Sequence, residues 1–81
     1  MNIILTEDVL ASLEELGITE ADVKEVVEYA ESEQKLYSDD GHNLGKKRLD
    51  ALMVYAEYTM DGDTATVVNV YKHRVALQEE Q

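Results

Sequence analysis

Apolar residues recur at helical spacing along the first third of the chain. Val9, Leu10, Leu13 and Leu16 form one stripe, with Glu7, Asp8, Glu14 and Glu15 mostly outside it. Thr6 stands where an N-cap belongs, and Gly17 follows the last apolar position as a C-cap should. The pattern then restarts. Thr19 caps, Asp22 sits three positions on, and Val23, Val26, Val27 and Ala30 mark one face as far as Ser32. Helices are predicted over about 6–16 and 19–32.

Past residue 34 the period changes from helical to alternating. Lys35-Leu36-Tyr37 is a short extended run, and Ser38 to Asn43 is dense in turn formers. Strands are predicted over about 35–37, 44–49, 52–59 and 64–77, with a tight turn at Asp50-Ala51 and a hairpin turn at Asp61-Gly62. Residues 78–81 read as a frayed tail. The expected fold class is α+β. One domain spans residues 1–81, with an N-terminal helical hairpin packed on one face of a three- to four-stranded antiparallel β-meander.

A two-residue turn at Asp61-Gly62 sorts the last two strands into faces. Leu52, Val54, Ala56, Tyr58, Ala65, Val67, Asn69, Tyr71, His73 and Val75 share the more apolar face, which should meet the helices. Met53, Tyr55, Glu57, Thr59, Thr66, Val68, Val70, Lys72 and Arg74 share the other. Two helices cover one side of a sheet, so Met53, Tyr55, Val68 and Val70 are left near water with Lys72, Arg74 and Glu57 around them. An apolar patch with a charged rim is the usual mark of a protein contact.

Composition narrows the chemistry. The 81 residues include no cysteine, which removes disulfides, thiolate metal sites and a cysteine nucleophile. The apolar share of 44% is enough for one modest core. No apolar run approaches the roughly 20 residues of a membrane span. Met1 to Leu5 lacks the basic flank and length of a signal peptide, so a cytoplasmic location is expected. The net charge of −11 is uneven. Residues 1–34 carry ten acids against Lys24 alone, whereas residues 35–77 balance six acids with six bases. The acidic front half repels polyanions, and no nucleic-acid partner is expected.

No catalytic constellation emerges. The glycines are isolated, and no serine sits in a nucleophile elbow. Asp39, Asp40, His42 and Asn43 do not match a calcium loop and read as a polar turn, so no metal is expected. Glu57 and His73 would make an acid–base pair but fall on opposite faces. Lys46-Lys47-Arg48 beside Tyr37, Tyr55 and Tyr71 suggests single-strand binding, against which the overall charge argues. These bases are better read as offsetting the acidic helices or contacting an acidic partner. Tyr37, Asn69, Tyr71, His73 and Arg74 form the densest polar set and are candidates for binding a small anion or carbonyl compound.

The segments Asp22 to Glu31, Lys35 to Tyr37, Leu44 to Leu49, Val54 to Tyr58 and Asn69 to Val75 resemble a small accessory module of anaerobic bacteria. That module occurs alone or appended to flavin- and iron–sulfur-containing oxidoreductases of the glutamate-synthase small-subunit type. The resemblance covers roughly residues 19–76, and Tyr55 stands where the family often has Trp. It implies an auxiliary or docking role. The chain itself has neither a dinucleotide fingerprint nor cluster-ligating cysteines, so no cofactor is expected. The sequence is thus read as a non-enzymatic interaction module. It would meet a protein partner or a second copy through Met53, Tyr55, Val68, Val70 and Lys72. The alternative is a small-ligand binding domain.

Overall fold

A computed structural model describes residues 1–49 and 51–74, Arg74 by its backbone alone. The expected continuation of the last strand over residues 75–77, the tail at 78–81, the turn residue Asp50 and the Arg74 side chain lie outside the described residues.

The fold is α+β, with two helices on one side of a five-stranded mixed sheet. In chain order the elements are β1 (Asn2–Leu5), α1 (Glu7–Leu16), α2 (Glu20–Ser32), β2 (Leu36–Tyr37), β3 (Asn43–Leu49), β4 (Leu52–Asp61) and β5 (Thr64–Arg74). The strand order across the sheet is β1-β5-β4-β3-β2. Both helices start and stop where their caps stand. The Thr6 hydroxyl accepts from the Val9 amide, and Thr19 and Asp22 make a reciprocal capping box. Gly17 ends α1 at φ 75°, a left-handed conformation that glycine adopts without a Cβ clash.

The expectation of a three- to four-stranded antiparallel meander is corrected at the N-terminus. Asn2–Leu5 is a strand, parallel to β5 with Ile3 opposite Ala65 and Leu5 opposite Val67. The helical hairpin therefore follows a strand instead of opening the chain. Alternation explains why: Ile3 and Leu5 pack against the core while Asn2 and Ile4 face out. The pairing also gives the first part of β5, Thr64 to Val67, a neighbour on each side.

The hairpin register is corrected as well. Asp61 pairs with Thr64, which moves the turn one residue on, to Gly62-Asp63. The positive φ of 64° then falls on Gly62 as the first turn residue. Tyr58 pairs with Val67, but Glu57 pairs with Asn69, so Val68 is an extra residue in β5. Before this bulge the sidedness is as expected. Val54, Ala56, Tyr58, Ala65 and Val67 are all fully buried under the helices. After it, β5 is inverted. Val70 and Lys72 turn inward, and Asn69, Tyr71 and His73 turn outward.

The core joins Val9 and Leu13 of α1, Ile18, and Val23, Val26, Val27 and Ala30 of α2 to this inner sheet face. Gly45 is what lets α2 come close: a Cβ there would lie 2.9 Å from the Val26 carbonyl oxygen and 3.2 Å from the Ala30 Cβ. Tyr58, the largest fully buried side chain, donates its hydroxyl proton to Glu31 at 2.5 Å. Burial, followed by the charge-assisted bond to Glu31, raises the Tyr58 phenol well above its ordinary value. The same bond, helped by Lys35, holds the Glu31 carboxyl below its usual 4.5 against a smaller desolvation effect.

Candidate functional site

The outer side of the sheet is the side without helices among the described residues. Directly opposed residues share a face, so the pairings define it. Leu44, Lys46 and Arg48 come from β3, Met53, Tyr55 and Glu57 from β4, and Asn69, Tyr71 and His73 from β5. Tyr55 lies directly opposite Tyr71, and their rings stack with centroids 4.9 Å apart and planes 9° apart. His73 meets the Tyr55 ring edge-on at 5.2 Å. Three rings from two strands thus make a continuous aromatic platform, with Tyr55 and Tyr71 half-buried and His73 exposed.

One end of this face leads into a shallow groove of about 440 Å³. Tyr37, Ser38, Asp39, Asp40, Leu44, Glu57 and Tyr71 line it. The turn between β2 and β3 is tied by Ser38, whose hydroxyl accepts from the His42 amide at 3.1 Å and whose amide donates to the His42 carbonyl at 2.9 Å. That fixes His42 beside the middle of β4. Its Nδ1 lies 3.3 Å from Glu57 Oε1. Glu57 is 9% exposed, a carboxylate nearly withdrawn from water. Asp40 closes the set: one donor atom from each of Asp40, His42 and Glu57 lies within 4.8 Å of the others. Burial raises the Tyr71 phenol above its ordinary value, and the negative charges of Glu57 and Asp39 add to the shift.

The expected site residues divide. Met53 and Tyr55 lie on the outer face, half-buried. Val68 is the bulged residue and is also half-buried. Val70 is withdrawn into the core at 6% exposure. Lys72 points beneath the helices, where its ammonium donates to the Leu16 carbonyl at 2.6 Å. A cation at the negative end of α1 is a favourable placement, and α1 has no base of its own in its last turn. Val70 and Lys72 therefore do not belong to the outer patch. The bulge exchanges them for Tyr71 and His73.

Of the small-ligand set, Asn69, Tyr71 and His73 share the outer face, and Tyr37, 70% exposed, lines the groove with Tyr71. The basic run is split by alternation. Lys47 turns to the helix side, bonded to Glu25 at 2.6 Å and lying over the Tyr29 ring, while Lys46 and Arg48 turn outward. Lys47 thus offsets helix acidity, as its type and position suggested. Glu57 and His73 lie on one face after all, but Glu57 pairs beside Asn69 and His73 beside Met53, four positions along β4.

Asp40, His42 and Glu57 are not brought together by any contiguous motif. The signal was a count: with Leu49 opposite Leu52, antiparallel pairing puts Leu44 opposite Glu57 and the preceding turn alongside it. No described helix is long and apolar enough to cross a membrane. No family model, curated protein or solved structure matches this chain significantly.

Proposed function

We propose that this chain is a non-enzymatic interaction module that pairs with a second copy of itself through the outer face of its sheet. The observation that carries the reading is the aromatic and apolar platform of Met53, Tyr55, Tyr71 and Leu44, over which no helix lies among the described residues. Charge selects the occupant. The helical layer carries most of the negative charge and repels its own kind. The outer face is different. Arg48 and Lys46 lie at the Met53 end, and Glu57 with Asp39 and Asp40 at the other. A two-fold axis running across the strands sets the basic end of one copy on the acidic end of its partner, ring platform against ring platform.

Sedimentation velocity over a wide concentration range tests this. The expected result is reversible dimerisation of the wild type, with Tyr55→Lys monomeric and unchanged in far-UV circular dichroism. A wild type that stays monomeric throughout contradicts the reading.

The small-ligand alternative gains one observation, the gathering of Asn69, Tyr71 and His73 on one face beside a groove. The groove's acids, Asp39, Asp40 and Glu57, oppose an anionic ligand there.

A further inference from the structure

We propose that Asp40, His42 and Glu57 form a binding site for a divalent first-row transition ion, with Zn²⁺ as the representative. The three side chains come from two structural units, the β2–β3 turn and the centre of β4, and bring a donor atom each within 4.8 Å of the others, Asp40 and Glu57 lining the groove. Ligand atoms held about 2.0–2.2 Å from a metal ion lie roughly 3–3.6 Å from each other. His42 Nδ1 and Glu57 Oε1 are already 3.3 Å apart. The widest separation in the set, within 4.8 Å, closes by about an ångström of movement. Asp40 is exposed on a turn and is free to supply it by side-chain rotation.

Burial gives the ion a reason to bind. Glu57 is a carboxylate at 9% exposure that faces the His42 ring nitrogen, and a charge so withdrawn from water calls for compensation. A divalent ion in the position between them supplies that compensation, and Asp40 and water complete the coordination. The donor set chooses among metals. One imidazole nitrogen with two carboxylates suits zinc, cobalt, nickel or manganese, whereas calcium and magnesium prefer oxygen throughout. The site is also partly preorganised: the two Ser38 bonds fix the His42 backbone, and the ring nitrogen already lies 3.3 Å from Glu57 Oε1.

The test is a Zn²⁺ titration of the full chain without a polyhistidine tag. Calorimetry and the NMR signals of the two histidine rings are recorded together. The expected result is saturable binding of one equivalent that moves the His42 ring, survives excess Mg²⁺, and weakens about tenfold or more in both His42→Ala and Glu57→Gln. Asp40→Asn, on an exposed turn, gives the same loss and keeps the test decisive if the Glu57 change disturbs the sheet. Glu14→Gln, on the outer side of α1, leaves the affinity unchanged. Non-saturable binding overturns the site. Unaltered affinity in the folded His42→Ala and Asp40→Asn variants also overturns it, as does Zn²⁺ that moves His73 and leaves His42 in place.

Discussion

The inner and outer sides of β4 differ by one residue in phase and by nearly everything in environment. Val54, Ala56 and Tyr58 on the inner side are fully buried against two helices, whereas Met53 and Tyr55 on the outer side are only half-buried. Inside, close packing is achieved by removing atoms, as at Gly45, and by giving the one buried phenol an acceptor on α2. Outside, the side chains shelter one another: Tyr55 stacks on Tyr71, and His73 caps the pair. The first arrangement makes the domain stable. The second stabilises it little, and it serves the proposed dimer contact because rings already ordered by stacking lose less freedom when a partner arrives.

Substitutions on the two sides separate these roles. Tyr58→Ala deletes a fully buried ring and should cost about 3–5 kcal/mol. A domain of this size has a net stability of roughly the same magnitude, so urea denaturation should find the variant largely unfolded. Tyr58→Phe keeps the ring and loses the bond to Glu31, for a cost on the order of 1–2 kcal/mol. Its pH dependence is diagnostic. The Glu31 carboxyl is lowered in the folded state, so its contribution is present above pH 4.5 and is lost as pH falls through the lower folded value. The Tyr58 phenol is raised, so its contribution is present below pH 10 and is lost as pH rises toward the folded value. Urea midpoints of Tyr58→Phe should therefore vary less with pH than those of the wild type at both extremes.

On the outer side, Tyr55→Ala should cost only about 1 kcal/mol of monomer stability, mostly the stacking with Tyr71. A loss as large as that of Tyr58→Ala would erase the distinction between the two sides. The smallest expected effect comes from deleting Val68. Because Val68 is the extra residue, its removal leaves Glu57 opposite Asn69 and Tyr58 opposite Val67 in an unbroken ladder. The variant should keep a native-like NMR spectrum with Tyr55 and Tyr71 still in contact. A strand slipped by one residue, with the Tyr71 ring shielded under α1, would show that the bulge does not set the faces.

Local chemistry made much of the fold legible. Thr6, Gly17, Thr19 and Asp22 marked both helices within a residue or so, and Val23, Val26, Val27 and Ala30 all reached the core. What escaped depended on distant partners. Asn2–Leu5 has four residues and little to mark it as a strand, and its pairing partners lie some sixty positions away in β5. The bulge at Val68 falls among β-forming residues with no glycine to announce it. From Asn69 onward, strict alternation therefore assigned Val70 and Lys72 to the surface and Tyr71 and His73 to the interior. Two of the five expected contact residues were misplaced for that one reason. Met53 and Tyr55, on the uninterrupted strand β4, were not. The polar turn around Asp39 and Asp40 was recognised as a turn, although Asn43 already belongs to β3, and its nearness to Glu57 followed only from the β3–β4 register.

Contact between two outer faces is most directly read by intermolecular NMR. A sample is prepared by mixing isotopically labelled and unlabelled chains, and nuclear Overhauser effects are filtered for pairs that span the two copies. Cross-peaks linking the Tyr55 and Tyr71 rings of one copy to the Met53 methyl of the other are expected. Intermolecular cross-peaks confined to α1 and α2, or none at concentrations where association is complete, would contradict the account.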